Sequence, residues 1–103
     1  MDIVLTIPKK QYERHNEILS DVLDGKCVLL WVFNRKPKIE IGENVHFVRN
    51  GRVEYYMTVC SKRGYRGQTL VMDDPRWHTE IIAARGFQGF RYKWWNDGCG
   101  VQR

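Results

Sequence analysis

The sequence predicts an α+β domain, two helices set against a curled sheet in the order β-α-β-β-β-β-α-β. Three observations point there. Val28 to Phe33 is the longest apolar run, rich in β-branched and aromatic residues and bounded by Gly25 and Pro37. Such a run reads as a strand buried on both faces, normally a central one. Asn50-Gly51, flanked by apolar residues, is the strongest short turn signal and predicts a hairpin over Val45 to Cys60. Helical signals occupy Lys9 to Leu23 and again Asp73 to Arg85. Runs of strands broken by two helices argue α+β, either a small, partly open barrel or an open sheet carrying both helices on one face.

Taken in order, Ile3 to Ile7 is a short apolar run ended by Pro8, an edge or opening strand. In the first helix Tyr12, His15, Leu19 and Val22 fall on one side, and Gly25 suits the left-handed position that closes it. His15 has no second ligand on its face and reads as a packed helix residue. After the Val28 to Phe33 strand comes a basic turn, Asn34-Arg35-Lys36-Pro37-Lys38, then Ile39 and Ile41 around Glu40 and a turn at Gly42-Glu43-Asn44.

In the hairpin a two-residue loop pairs Arg49 with Arg52, Val48 with Val53 and Phe47 with Glu54. Both faces then carry apolar residues, and Arg49 opposite Arg52 is unfavourable unless an anion or solvent screens it. Ser61 to Gln68 is a basic, glycine-punctuated loop in which Lys62, Arg63 and Arg66 surround Tyr65. Thr69 to Met72 is a short strand. Asp74-Pro75 then reads as a cap and first turn of the second helix, which runs through Trp77, Ile81 and Ile82 to Gly86. Gln88 to Trp95 alternates: Phe90, Tyr92 and Trp94 toward the core, Arg91, Lys93 and Trp95 away from it. The domain therefore spans residues 1–95, with a polar, Gly-rich tail at 96–103.

Composition limits the function. A chain of 103 residues is one domain. It has no apolar stretch long enough to span a membrane and no signal-peptide pattern, which predicts a cytoplasmic protein with no membrane partner. Cys27, Cys60 and Cys99 are odd in number and widely spaced, so neither a disulfide framework nor a zinc site is expected, and no cofactor is implied. Charge is uneven. Residues 1–24 hold three Lys/Arg against five Asp/Glu, the remainder fourteen against seven. A basic body points to a polyanionic partner.

The order of helix end, Gly25, buried strand, basic turn and Gly42-Glu43 turn resembles the ASCH domains of the PUA-like superfamily over Tyr12 to Val59. The resemblance implies a small β-barrel associated with RNA and modified nucleosides, with a pocket near Trp31 and Asn34. It does not extend to that family's charged signature. Counted from Gly25, its lysine, glutamate and arginine fall on Cys27, Leu30 and Val32. Acetylcytidine hydrolysis, which some small members perform, is therefore not expected, because no acid/base pair stands there.

The leading function is a module that binds RNA, single-stranded DNA or a modified nucleotide. Arg35, Lys36, Lys38, Arg63, Tyr65, Arg66, Arg91, Lys93 and Trp95 would contact it, and Trp31, Asn34 and Trp77 would wall a pocket. Cations neutralise phosphates, and aromatic rings stack on bases. A small accessory or phage-type protein that binds another protein is the alternative, because aromatic and arginine residues also mark protein interfaces.

Overall fold

A computed structural model of the chain describes residues 1–95; the tail at 96–103, including Cys99, lies outside the described residues. Six strands form one sheet in the order β2-β5-β4-β3-β1-β6. They are β1 (Ile3–Thr6), β2 (Leu29–Val32), β3 (Asn44–Arg49), β4 (Arg52–Arg63), β5 (Thr69–Trp77) and β6 (Phe90–Tyr92). The sheet curls into a half-barrel, with one α-helix among the described residues, α1 (Tyr12–Leu23). No helix among the described residues is long and apolar enough to cross a membrane.

β1 is not an edge strand. It lies between β3, to which it runs parallel, and β6. Ile3 and Leu5 face the main core, and Val4 faces a second cluster on the other side of the sheet. Pro8 falls after the paired residues and blocks no ladder bond. β2, by contrast, is an edge strand and, among the described residues, pairs only with β5. Leu29 and, just beyond the strand, Phe33 are buried, whereas Leu30 is 51% and Val32 71% exposed. The apolar run cannot show whether anything covers its outer face, and here nothing among the described residues does. The ASCH resemblance loses the central strand on which it leaned.

The hairpin forms at Asn50-Gly51, both left-handed (φ 57° and 76°), as a two-residue turn of this kind requires. Arg49 opposes Arg52 and Val48 opposes Val53 as expected. A bulge then sets Phe47 opposite Tyr55 and not Glu54. The bulge sorts the apolar residues: Val45, Phe47, Tyr55, Met57 and Val59 join the main core, Val48 and Val53 the outer cluster. It also frees Glu54 to answer the Arg49–Arg52 repulsion. Its carboxylate lies 2.5 Å from Arg49 Nε and 3.7 Å from Arg52 Nη2.

The second helix is absent. β5 continues to Trp77, with Asp73 opposite Thr58 and Arg76 opposite Tyr56. Asp74 and Pro75 fall between those pairs, where a missing proline N–H costs no ladder bond. Asp74 is left-handed (φ 57°), a state that Asp tolerates better than most residues. Residues 78–89 then cross the outer face as an irregular strap. Glu54 O accepts from His78 N, Ile82 O accepts from Val53 N, and Gly51 O accepts from Ala84 N. Ile82, Ala84 and Phe87 cover Val4, Val48 and Val53, and Trp95 packs there too.

On the inner face α1 buries His15, Leu19 and Val22. Residues 33–43 cross from β2 to β3 with Phe33, Pro37 and Ile39 buried, and Tyr92 Oη accepts from Lys38 N at 3.0 Å. β2 and β6 are the two edges of the curl, and the pairing directions make them run the same way. Phe33 and Phe90 meet edge to face across that seam at 5.6 Å.

Candidate functional site

The seam between β2 and β6 holds a cavity of about 520 Å³. One wall is the end of β2 and the turn after it: Trp31, Val32, Phe33, Asn34 and Arg35. The other is Phe87, Gln88, Gly89 and Phe90, backed by Leu5 and Thr6 of β1, with Pro8 and Gln11 completing the lining. Among the described residues Arg35 is the one charged side chain lining it, and three carboxamides, Gln11, Asn34 and Gln88, supply hydrogen-bonding groups. Each wall has a reason to stay in place. Trp31 packs edge-on against buried Phe47 at 6.0 Å. Arg35 lays its guanidinium over Phe90 at 5.2 Å. Thr6 Oγ1 accepts from Phe87 N at 3.1 Å.

Gln68 ties the second basic loop to this wall. Its carbonyl accepts from Phe33 N, and its side-chain amide donates to Asn34 O at 3.1 Å. The loop that presents Tyr65 and Arg66 therefore stands beside Asn34. Tyr65 is 72% exposed, with the Arg66 guanidinium 5.1 Å from its ring centre. Gly64 has φ +77°, and a Cβ there would meet Thr69 Oγ1 at 2.9 Å, so the loop needs glycine at that position.

The expected residues divide into groups. Trp31, Asn34 and Arg35 line the cavity. Lys36 follows on the same turn, Arg63 begins the adjacent loop, and Tyr65 and Arg66 form its tip. Lys38 belongs to the closing segment over Tyr92. Trp77 does not join the cavity; it packs against Tyr55 at 5.5 Å, on the far side of the sheet order from β6. Arg91 lies over Phe87 at 4.5 Å, and Lys93 over Trp95 at 5.5 Å. Trp95 is half-buried against Val4, Val48 and Val53, while Trp94, expected in the core, is 48% exposed. The strand ends at Tyr92, so the two-residue alternation stops before these tryptophans.

The opposite wall is not legible in the sequence: Phe90 reads as core, and nothing local places Phe87 and Gln88 across from Trp31. Nor is a polar array beneath Trp95. His46, buried on β3, donates from Nε2 to Asp2 Oδ2 at 3.0 Å, and its Nδ1 meets His78 Nε2 at 2.9 Å. The arrangement that satisfies both contacts has His78 donating to a neutral His46. Burial holds His46 below its usual range, and the hydrogen bond to Asp2 opposes that shift. Both ring nitrogens are engaged, and among the described residues no cluster of His, Cys, Asp and Glu is placed to hold a metal ion. The array fastens the strap and Trp95 to β1 and β3. Compared with family models, curated proteins and solved structures, the chain matches none of them.

Proposed function

We infer that the protein is a binding module for single-stranded nucleic acid or a modified nucleotide, with one base held in the seam cavity. The observation that carries this reading is an aromatic-walled cavity with no acidic lining among the described residues, with Arg35 lining it and the Arg63–Arg66 loop beside it. Its volume lies in the usual range for small-molecule sites, roughly 300–1,000 Å³. A base is flat, neutral and rimmed with donors and acceptors. Trp31 and Phe90 offer it ring surface, and the carboxamides of Gln11, Asn34 and Gln88 offer hydrogen bonds to its edge. Arg35, Lys36, Arg63 and Arg66 serve the phosphates, and Tyr65 offers a second stacking surface.

The test is fluorescence anisotropy with labelled short RNA and DNA single strands across a salt series. Binding weakens steeply with salt, because phosphate contacts release counterions. Arg66→Ala lowers affinity for every sequence and reduces the salt slope by about one. Trp31→Ala costs about 1–3 kcal/mol with little change in slope, as loss of a stacking surface does. Absence of binding at ~50 mM salt, where electrostatic attraction is strong, removes the reading.

A further inference from the structure

Among the described residues β2 is bonded to the sheet on one side only. Phe33 N donates to Gln68 O, so Leu29, Trp31 and Phe33 are the residues that bond β5. Antiparallel bonding alternates along a strand. The N–H and C=O groups of Leu30 and Val32 therefore point to the open edge. The side chains of the same two residues are exposed. Edge strands are normally protected by a charge, a proline or a bulge. Leu29–Val32 carries neither charge nor proline, and its pairing with β5 is regular. An edge that offers unused backbone groups together with an apolar stripe is suited to strand addition.

Charge selects the occupant. Residues 26–38 contain Lys26, Arg35, Lys36 and Lys38 and no acidic residue. Lys26 lines a groove together with Asp73 and Asp74, so acidic residues stand on that side as well. At the other end Val32 lies opposite Thr69, and Thr69 opposite Arg63, so Arg63 adds to Arg35 and Lys36. We propose that β2 accepts an extended peptide strand of another protein, apolar at alternate residues and acidic at the end that lies against Arg35 and Lys36. β2 and β6 run the same way, so one incoming strand can lie antiparallel to both and close the seam. It then covers the cavity mouth, and peptide and nucleotide exclude each other. The edge and its charge stand without the cavity reading.

The experiment uses labelled ten-residue peptides and fluorescence anisotropy at ~50 mM salt, where charge effects are largest. One peptide has three acidic residues followed by alternating Val and Thr. The second has lysines in place of the acids. The third keeps the acids but has proline at alternate positions, which removes backbone donors. The first binds; the other two bind at least about tenfold more weakly, as loss of charge complementarity and of edge pairing demands. Leu30→Pro removes an outward donor and leaves the β5 ladder intact, and it lowers affinity by a similar factor. Val32→Glu, which sets a like charge beside the peptide's acids, does the same, and tests the proposal even where Leu30→Pro impairs folding. No peptide binding, equal binding of acidic and basic peptides, or binding untouched by Val32→Glu overturns the proposal. So does a dimer at tens of micromolar that Val32→Glu dissolves, since that assigns the edge to a second copy. An oligonucleotide that depends on Leu30 and Val32 while peptides fail to bind assigns it to nucleic acid.

Discussion

His15 lies on the buried face of α1, between Phe47 and Tyr55, and is 5% exposed. Its Nε2 meets the Tyr55 hydroxyl, which donates to the neutral ring. Burial first, and then the nearby Arg49 guanidinium, lower its pKa to about 4. Burial pushes the Tyr55 phenol upward, so it stays a donor. In the unfolded chain His15 titrates at 6.5. Between those two values the unfolded state binds a proton that the folded state refuses. Stability therefore falls as pH drops from about 6.5 to about 4 and levels off below, with a contribution of about 3 kcal/mol from this residue. His15→Gln keeps an acceptor for Tyr55 but does not titrate. Urea unfolding at several pH values between 7 and 4 should show a much flatter profile for the variant. His46, also held low by burial, leaves some slope in the same direction. An unchanged profile in His15→Gln would place the titration elsewhere. The helical spacing of Tyr12, His15, Leu19 and Val22 makes the position of His15 readable. Its partner, Tyr55, is set by the hairpin bulge and is not.

At the scale of elements, local chemistry was informative where the structure is local. Asn50-Gly51 adopts the left-handed pair that it predicts, and Gly25 (φ 75°) follows α1 as expected. Asp74-Pro75 shows the opposite case. An acidic residue before proline is a good helix start, yet the same two residues fit a bulge, and pairing with β4 decides between them. The Ile81-Ile82 pattern is likewise a strap: Ile82 packs on the outer cluster, while Ile81 is exposed. Backbone conformation gives a test. Asp74 holds φ 57°, where a β-branched side chain is strained and glycine is not. Asp74→Val should cost about 1–2 kcal/mol, and Asp74→Gly should fall within roughly 0.5 kcal/mol of the parent, with its exposed contact to Arg76 contributing little. Thermal and urea unfolding measure both. Equal losses in the two variants would mean that left-handed backbone does not govern this position.

At the scale of the molecule, closing six strands into less than a full barrel leaves two edges, and both the cavity and the open strand follow from that. Trp31, Asn34 and Arg35 lie within five residues of one another and form one wall, and a pocket near Trp31 and Asn34 is what the ASCH resemblance implies, not what their spacing shows. The facing wall comes from Phe87 and Phe90 because the sheet order puts β6 at the opposite edge from β2, which no local pattern reveals. Trp95 makes the same point in reverse. On alternation it belongs to an exposed cationic stripe. In the fold it packs on Val4, Val48 and Val53 and stands edge-on to His46 at 4.9 Å, with Lys93 over its ring. The two tryptophans should therefore separate binding from stability. Trp95→Ala opens the outer cluster and exposes the His46 array, at a cost of about 2–3 kcal/mol of folding stability for a half-buried aromatic. It should leave oligonucleotide affinity unchanged at temperatures where the variant is folded. Trp31→Ala should do the converse, lowering affinity by the stacking contribution and stability by less than Trp95→Ala. Urea midpoints and anisotropy titrations on the two variants read both quantities. A large loss of affinity in folded Trp95→Ala, with Trp31→Ala indifferent, would move the binding surface from the seam to the strap.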